Sequence, residues 1–405
     1  MTNTLLIDLD DTLLLNPFDR FMPAYLKLLA DKLSPFVAPD IMIPQLMYAT
    51  DQMIQNNSPA QTLEETFDAN FYPPLGLSKS DLEPHLFDFY THEFHQLQSI
   101  TSMRPEALEL IAQVRHNSWQ IVVATNPLFP LIAMQNRLSW AGFSQNDFPF
   151  SFVTAYESMH FAKPNPAYYA EILGRFGWPH QAVGMIGNNL NEDILPTSAL
   201  GIPGFWVDQN IDRLPIDLDD RSSAGSLQDA LTWVSKLNHF NQEYHLSERS
   251  SIKAVLTSTP AVLDTLVGDL DESIWKEKAS PQELSLLEMV SHLLDVENEI
   301  NYPRMQLILN NHNPTIIGVD SDHWIKLRDY QHSRSISVLS EFIVQRQQLI
   351  SLLEGLSPDQ WVRPAQHTMF GPTTLEEICR FIAQHDMDHI RQIHLVSTKL
   401  NSGTS

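Results

Sequence analysis

The sequence is poor in cysteine, in positive charge and in long hydrophobic runs. Its 405 residues include one cysteine, which excludes an intramolecular disulfide and a cysteine-rich zinc site. Lysine and arginine number 25 against 49 aspartates and glutamates, and the net charge of −24 disfavours binding to nucleic acids or anionic membranes. No apolar run reaches the length of a membrane span, and we find no signal peptide. These absences predict a cytoplasmic protein that acts on small molecules or metal ions; they leave the oligomeric state open.

The length of the chain predicts two domains. In its first part, four short apolar runs alternate with amphipathic stretches, a pattern typical of buried parallel strands. The runs are 5–7, 121–124, 183–186 and 205–207. About 100 residues separate the first two runs, too many for an ordinary crossover. We therefore predict an α/β domain over 1–237 with a Rossmann-like parallel sheet, whose core comprises 1–15 and 101–237 and whose inserted helical cap comprises 16–100.

Residues 249–405 show a different pattern, and we expect the segment 238–248 to link the two domains. No strand pattern is found after residue 252, and four amphipathic stretches take its place. They lie at about 250–270, 282–309, 322–355 and 373–399. Four helices of this length predict an all-α domain, an antiparallel four-helix bundle.

Two carboxylates stand directly after the first apolar run. Asp8 follows the predicted strand and Asp10 lies two residues further on, at the sheet edge where open α/β sheets bind their ligands. One aspartate at such a place can attack phosphorus, while the other donates a proton and later removes one. The alternative interpretation is a solvated acidic turn.

Four segments of the first domain resemble, in order, the motifs of the haloacid dehalogenase-like (HAD) hydrolases. The matching residues are Asp8, Asp10 and Thr12, then Thr125 with Asn126, then Lys163, and finally 187–193 with Asn188 and Asp193. The resemblance implies that Asp8 is the nucleophile and that Asp10 is the acid and then the base. It also implies a phosphate site and a magnesium site. The phosphate ligands would be Thr12, Thr125, Asn126 and Lys163, and the Mg²⁺ ligands Asp8, Asp10, Asn188 and Asp193.

One position departs from the HAD pattern: Asn188 stands where the family usually has an aspartate. An amide oxygen still binds Mg²⁺, but the site loses one negative charge, so its affinity for the ion should fall. The presence of Asp10 favours the phosphatases over the dehalogenases of the family, which lack a proton donor there. The resemblance therefore implies a magnesium-dependent phosphate ester hydrolase acting on a small phosphorylated metabolite. The alternative is an impaired domain that only binds such a metabolite.

An apolar stripe along the last predicted helix is interrupted by His385 and His389. Their spacing of four residues places both side chains on one helix face, as two ligands of one metal ion require. His292, on the inward flank of the second predicted helix, is a candidate third ligand, and Asp295 and Glu297 are candidates for orienting an imidazole. The alternative is a set of core histidines bonded to carboxylates or water, since such histidine pairs are common on helices.

The second domain resembles the DinB-like four-helix metalloproteins. The segments that carry the resemblance are 291–297, 371–375 and 385–393. It implies a metal triad of His292, His385 and His389, with a hydrolase or thiol-transferase role. Three imidazoles leave coordination positions open and suit zinc, nickel or iron, so the divalent transition metal stays undecided. A scaffold that binds no ion is the alternative. The secondary ligand candidates are His323, His367 and His394.

Overall fold

The computed structural model describes residues 2–143, 149–208, 218–238, 240–321 and 323–403. The chain divides into two compact units. The first comprises Met1–Asn57, Gln61–Tyr168 and Pro179–Tyr244, and the second comprises Ser58–Ala60, Tyr169–Trp178 and His245–Ser405. The last passage from the first unit to the second, between Tyr244 and His245, lies within the segment 238–248 expected to be a linker, of which His239 lies outside the described residues. No helix in the described ranges combines the length and the hydrophobicity needed to cross a membrane.

A parallel sheet forms the core of the first unit. The strands of this unit are β1 (Thr4–Ile7), β2 (Leu14–Leu15), β3 (Ser102–Met103), β4 (Gln120–Val123), β5 (Phe152–Val153), β6 (Val183–Gly187), β7 (Gly204–Val207) and β8 (Ser223–Gly225). Six of them form the sheet, in the order β5-β4-β1-β6-β7-β8. Both β1 and β6 are buried along their whole length, which explains their continuous apolar sequences. The predicted Rossmann-like sheet is confirmed.

The register of the sheet brings the candidate motifs together. Ile7 at the end of β1 pairs with Val123 of β4 on one side and with Ile186 of β6 on the other. Because parallel strands end at the same edge, the residues that follow these three strands emerge side by side. The edge strands β5 and β8 have two and three residues, too few to produce a recognisable pattern in the sequence.

A helical cap lies between β2 and β3, which pair antiparallel where the chain leaves the core and returns to it. The cap contains four α-helices and two 3₁₀ segments. These are α1 (Phe18–Leu33), α2 (Pro39–Ile54), α3 (Leu63–Phe71), Pro73–Leu75, α4 (Lys79–Thr91) and Glu93–Ile100. The helices that follow along the chain are α5 (Pro105–His116), α6 (Leu131–Trp140), α7 (Pro166–Arg175), α8 (Leu195–Ala199) and α9 (Leu227–Leu237). The inserted helical cap is therefore confirmed.

Four long helical segments dominate the second unit. Its helices from residue 245 onward are α10 (Arg249–Val267), α11 (Glu272–Lys276), α12 (Leu286–Val296), α13 (Tyr302–Asn310), α14 (Trp324–Leu327), α15 (Ser335–Glu354), α16 (Pro358–Trp361) and α17 (Leu375–Gly403). One π-helical turn, Glu297–Asn301, joins α12 to α13. The long segments are α10, α12 with α13, α15 and α17, and the predicted four-helix bundle is confirmed.

The prediction that no strand follows residue 252 is wrong. A three-stranded sheet with the order β11-β10-β9 is formed by β9 (Thr315–Ile316), β10 (Pro364–His367) and β11 (Gly371–Thr374). These strands have two to four residues each, half of the residues are polar and two are prolines, so the strands lack the apolar alternation that identifies a strand. Gly371 adopts a positive φ of 79° in the turn between β10 and β11.

The third long helix begins at Ser335 rather than near residue 322. Its first turn is fixed by Glu272, whose carboxylate accepts hydrogen bonds from the Ser335 backbone N–H at 3.1 Å and from the Ser335 hydroxyl. The backbone N–H groups of a first helical turn have no partner inside the helix, so this contact stabilises a start at Ser335. The two residues are 63 positions apart in the sequence, so the periodicity of the helix does not predict this contact.

Candidate active site and candidate metal centre

The first candidate site lies at the carboxyl edge of the parallel sheet, in the loop after β1. Asp8 is 5% exposed, and its backbone N–H donates to the Ile186 carbonyl at 2.9 Å. The loop then folds back, because backbone N–H groups of residues 12–14 donate to the Leu9 carbonyl. This turn returns Thr12 to Asp8, with Thr12 Oγ1 at 3.3 Å from Asp8 Oδ2.

Lys163 joins the carboxylates of Asp8 and Asp193. Its Nζ donates to Asp8 Oδ1 at 2.8 Å and to Asp193 Oδ1 at 2.6 Å, and all three side chains are buried. Burial raises the pKa of Asp193 above its usual range; Lys163 opposes this rise and the charge of Asp8 adds to it. Two carboxylates thus share one ammonium group, and the remaining negative charge suits a divalent cation.

Gly187, the last residue of β6, allows Asp193 to approach the sheet. A Cβ atom at this position would lie 2.2 Å from Asp193 Oδ2, so no larger residue fits unless the carboxylate moves. The same oxygen accepts a hydrogen bond from the Asn189 backbone N–H at 2.9 Å. The glycine of the fourth motif is therefore required by the close packing of Asp193 against the strand.

Asn188 faces the same hydroxyl group as Asp8. Thr12 Oγ1 lies 3.3 Å from Asn188 Oδ1, and the Trp206 indole N–H donates to the Asn188 carbonyl at 2.8 Å. The oxygen-rich set of Asp8, Asn188 and Asp193 fits a magnesium ion, with the Asp10 carbonyl as a further candidate ligand. Trp206 was not indicated by any motif, and it holds the backbone of the position that departs from the HAD pattern.

Asp10 has a buried cationic partner that the sequence did not indicate. Asp10 Oδ1 accepts a hydrogen bond from Asn16 Nδ2 at 2.8 Å and forms an ion pair with the Arg137 guanidinium. Arg137 is 2% exposed, and its guanidinium lies over the rings of Phe21 and Phe129, each at 5.6 Å from the ring centroid. Burial lowers the pKa of Arg137 to about 10 against the opposing charge of Asp8. Arg137 therefore belongs to this site.

The second motif follows β4, and its Thr125 is buried. The carbonyl of Thr125 accepts hydrogen bonds from Tyr168 Oη at 2.7 Å and from Thr154 Oγ1 at 2.8 Å, which fix the backbone at this point. The side-chain oxygen of Asn126 is buried and has no hydrogen-bond partner among the described residues. Buried polar atoms are normally paired, so the Asn126 oxygen is available to accept a hydrogen bond from a bound ligand.

A cavity of about 370 Å³ lies between the cap helices and the loops after β4 and β5. Its walls are mostly aromatic and aliphatic. Residues that line it include Tyr25, Leu46, Phe67, Phe71, Phe129 and Tyr156. Arg137 contacts both the Phe129 ring of the cavity wall and the Asp10 carboxylate, so one side chain connects the cavity to the loop after β1.

The second candidate site is a cluster of three histidines inside the bundle. One ring nitrogen from each of His292, His385 and His389 lies within 4.8 Å of the other two. The ring centroids of His385 and His389 are 4.4 Å apart, and that of His292 is 5.0 Å from His389. In the described ranges, no other group of three or more histidine, cysteine, aspartate or glutamate side chains has this geometry. His323, His367 and His394 lie outside the cluster.

The protonation state of His389 suits metal binding. Burial, together with the adjacent rings of His385 and His292, lowers the pKa of His389 to about 3. His389 is therefore neutral near pH 7, which is the form that binds metals. Its Nδ1 atom is buried and has no hydrogen-bond partner in the described part of the chain. Three adjacent imidazoles of this kind fit a divalent transition metal.

A buried ion-pair network lies beside the histidine cluster and includes Asp386, the residue after His385. Arg346 donates to Glu297 at 2.8 and 3.1 Å, and to Asp386 at 3.1 Å and through a second contact. All three residues are 0% exposed. Burial alone would lower the pKa of Arg346, but Asp386 and Glu297 raise it above its usual range. The network crosslinks three helical segments by charge.

The carboxylates expected to orient an imidazole have other partners. Glu297 binds Arg346 and also accepts a hydrogen bond from Asn301 Nδ2 at 2.9 Å. Asp295 binds Arg328 and accepts a hydrogen bond from Tyr330 Oη at 2.7 Å. The π-helical turn that begins at Glu297 changes the direction of the side chains after α12, which spacing along a regular helix does not predict.

Two family models match the chain, one in each half. Residues 2–201 match the haloacid dehalogenase-like hydrolase model. Residues 256–393 match the DinB superfamily model. The chain joins a HAD-like hydrolase domain to a DinB domain. Both resemblances predicted from the sequence are confirmed.

Two known proteins are similar to parts of the chain. Haloacid dehalogenase-like hydrolase domain-containing protein 3 of Danio rerio is 35% identical over 60 residues, which are 15% of this chain and 25% of that protein. A Halalkalibacterium halodurans protein named as a metal-dependent hydrolase is 27% identical over 148 residues, which are 36% of this chain and 84% of that protein. The chain therefore spans about a quarter of the first relative and most of the second.

Solved structures similar to each domain are also known. YfiT of Bacillus subtilis, described as a metal-dependent hydrolase with an unusual four-helix bundle topology, has 22% identity and a TM-score of 0.35, and the match covers 41% of this chain and 96% of YfiT. A HAD phosphatase of Thermococcus onnurineus has 16% identity and a TM-score of 0.38, and the match covers 59% of this chain and 100% of that protein. A 2-haloacid dehalogenase of Pseudomonas syringae pv. Tomato has 17% identity and a TM-score of 0.40, and the match covers 58% of this chain and 99% of that protein.

Proposed function

We propose that the HAD domain is a magnesium-dependent phosphate ester hydrolase that works through an aspartyl-phosphate. The observation that carries this proposal is the buried contact of Lys163 with both Asp8 and Asp193. Asp10, two residues after Asp8, supports the phosphatase reaction over dehalogenation, because protonation of an ester oxygen requires an acid at the leaving group.

The reaction divides into two displacements at phosphorus. Asp8 attacks, a bond forms between its oxygen and phosphorus, and the ester P–O bond breaks as protonated Asp10 gives its proton to the leaving oxygen. Water then attacks phosphorus while Asp10 takes a proton, and the carboxylate of Asp8 is released with inorganic phosphate. Thr12, Thr125, Asn126 and Lys163 hold the phosphoryl oxygens. A bound Mg²⁺, held by Asp8, the Asp10 carbonyl, Asn188 and Asp193, would neutralise phosphoryl charge.

The cap cavity supports a substrate with a large apolar alcohol group. Its lining is mainly aromatic and aliphatic, and the hydroxyl groups of Tyr25 and Tyr90 bond to each other at 2.9 Å. An aryl or branched alkyl group therefore gains more by burial there than a small polyol does. We propose an aryl or bulky alkyl phosphate as the substrate class.

The proposal is tested by measuring inorganic phosphate release from a panel of esters during a magnesium titration of the full-length protein. We expect turnover that requires Mg²⁺, with 1-naphthyl phosphate hydrolysed at least about tenfold more efficiently than glycerol phosphate, in line with the burial of several additional apolar carbons. A complete absence of phosphate release at every magnesium concentration would contradict the phosphatase proposal.

Asn188→Asp is expected to strengthen magnesium binding. Restoring one carboxylate beside Asp8 adds a negative charge next to the ion, and we expect the Mg²⁺ concentration for half-maximal rate to fall about tenfold. The Thr12 hydroxyl can donate to either residue, so the local hydrogen bond is kept. Asn189→Asp is the matched control: it adds the same charge one residue away, on an exposed side chain, and should leave the titration nearly unchanged.

A second candidate function is a phosphometabolite-binding module. Two observations favour it: Asn188 reduces the negative charge of the cation site, and Arg137 forms an ion pair with the carboxylate of Asp10. In that case 1-naphthyl phosphate would bind by calorimetry in the presence of Mg²⁺, and Asn188→Asp would tighten binding without producing turnover.

We propose that the DinB domain holds a divalent transition metal through His292, His385 and His389. The geometry and the neutral state of His389 support this proposal. Three imidazoles leave positions for a substrate or water, so a metal-dependent hydrolase or thiol-transferase reaction fits the site. The buried thiol of Cys379 is not a candidate nucleophile, because burial raises its pKa to about 12.

His389→Ala is expected to remove the metal. Loss of one of three imidazoles should weaken binding about 100-fold or more, since even groups that only orient the ligands contribute 10- to 100-fold. The measurement is metal content by mass spectrometry after dialysis against zinc, nickel or iron. The exposed His323→Ala is the control and should keep one ion per chain. Equal, negligible metal in wild type and His389→Ala would favour the scaffold alternative.

A further inference from the structure

A second cavity, of about 140 Å³, lies inside the DinB domain next to the histidine cluster. Its lining includes His385, so one imidazole of the cluster faces this space. The other polar side chains that matter here are Arg304 and His367, and aromatic rings of Phe370 and Phe381 form another part of the wall. No residue proposed above as part of the phosphatase contributes to it.

Arg304 brings an uncompensated positive charge to the cavity. Its guanidinium donates to the Ile317 carbonyl at 2.8 Å, and it has no ion-pair partner among the described residues. Burial lowers the pKa of Arg304 below its usual range. In a chain with a net charge of −24, a half-buried arginine that pairs with no carboxylate is available to a bound anion.

His367 presents a hydrogen-bond donor beside Arg304. Its Nδ1 accepts hydrogen bonds from the backbone N–H groups of Met369 and Phe370, at 3.2 and 3.3 Å. A nitrogen that accepts two hydrogen bonds carries no proton, so in the neutral ring the proton is on Nε2. Burial and the charge of Arg304 both lower the pKa of His367, which keeps the ring neutral. Nε2–H has no partner in the described part of the chain.

The rest of the cavity wall is mostly apolar, with Asn301 and Ser321 as its other polar residues, and part of it is open to solvent. The Phe370 ring stacks on His367, with centroids 4.6 Å apart and an angle of 23° between the planes, and it lies 5.1 Å from Phe381. Phe370 and Phe381 are 60% and 46% exposed, respectively. A ligand seated against these rings would bury apolar surface that is now in water.

We propose that Arg304 and His367 form a carboxylate-binding subsite beside the histidine cluster, and that its ligand is a small organic acid with an aromatic or apolar group. The guanidinium fork matches the two oxygens of a carboxylate, and the His367 N–H supplies a further donor. The aromatic rim receives the apolar group. The proposal of the subsite depends only on these contacts. The further idea that its ligand is a substrate of a metal centre rests on the proposed function of the three histidines.

Benzoate is the probe for this subsite, with benzamide as the uncharged control of the same shape. Titration calorimetry on the zinc-loaded full-length protein should show benzoate binding at least about tenfold tighter than benzamide. Arg304→Gln should weaken benzoate binding about tenfold or more, and Arg304→Lys less than Arg304→Gln, because it keeps the charge. Arg363→Gln, which alters another arginine that donates to backbone carbonyls of this domain, should bind benzoate like wild type.

Two results would overturn the subsite: equal binding of benzoate and benzamide to the wild type, or wild-type benzoate affinity in Arg304→Gln. Zinc content and thermal unfolding of each variant are measured in parallel, and recovery of binding in Arg304→Lys excludes a folding defect as the cause. The His292→Ala/His385→Ala/His389→Ala variant separates the two proposals. If it contains no metal and still binds benzoate in an Arg304-dependent manner, the subsite is supported independently of the metal.

Discussion

Asp8→Asn is expected to lower the rate of phosphate release by a factor of about 10⁴ or more, as removal of a catalytic nucleophile does in other hydrolases. The amide cannot form the covalent bond to phosphorus, and the steps that follow depend on that bond. The substitution is nearly isosteric, and Lys163 keeps its 2.6 Å contact with Asp193. The loss should therefore fall on the rate constant for turnover rather than on folding.

The matched control for this variant is Asp11→Asn. Asp11 lies in the same loop, and its carboxylate accepts a hydrogen bond from the Asn16 backbone N–H at 2.8 Å, which an amide oxygen can also accept. We expect activity within about threefold of the wild type, because the amide keeps this hydrogen bond and Asp11 has no role in the proposed reaction. Equal activity of Asp8→Asn and wild type would remove the covalent mechanism.

Arg346→Met is expected to lower the free energy of unfolding of the DinB domain by about 3 to 5 kcal/mol, the effect typical of removing one partner from a buried ion pair. Arg346 is the cation that Glu297 and Asp386 share, and all three are 0% exposed. Methionine fills much of the space but leaves two carboxylates in a core without a counter-charge. Hydrogen exchange of peptides from residues 249–403 measures this local unfolding in the full-length protein.

A compensated variant shows whether charge or packing causes the loss. Arg346→Met combined with Glu297→Gln and Asp386→Asn removes every charge of the network while keeping its shape. We expect this variant to recover at least half of the lost free energy, since uncharged amides carry a smaller desolvation penalty, about 1 to 3 kcal/mol each if unpaired. A triple variant less stable than Arg346→Met would show that the amides cannot be accommodated and would contradict the electrostatic explanation.

The sequence is sufficient to predict the strands that pass through the middle of the HAD sheet. β1, β4, β6 and β7 are buried by neighbouring strands and helices, so each must be a short apolar run, and the motifs follow directly after them. The gap between β1 and β4 identifies the cap, because it is too long for an ordinary crossover. The short strands of the DinB domain have no such constraint: β10 exposes every second residue and contains a proline, and its pattern resembles a loop.

The sequence indicates the burial of a charged residue more readily than it indicates the partners of that residue. An apolar stripe along α15 contains Leu339, Phe342, Leu349 and Leu353. Arg346 lies on this stripe, where an apolar residue is expected, so the sequence predicts that its charge is buried. Arg137 also lies among buried apolar residues of its helix, with Met134 three residues before it and Trp140 three residues after it. The sequence does not indicate its partners, because the fold brings Phe21 and Asp10 to it from distant parts of the chain, and the pairing with Asp10 spans 127 residues.

The most direct test of the central claim is detection of a phosphoryl group on Asp8. The wild-type protein is mixed with 1-naphthyl phosphate and Mg²⁺, quenched in acid during turnover and digested, and the peptide that contains Asp8 is analysed by mass spectrometry. The account predicts a phosphorylated peptide, modified at Asp8, which requires Mg²⁺ and is absent from Asp8→Asn. Steady release of phosphate without any phosphorylated form of this peptide would contradict the account.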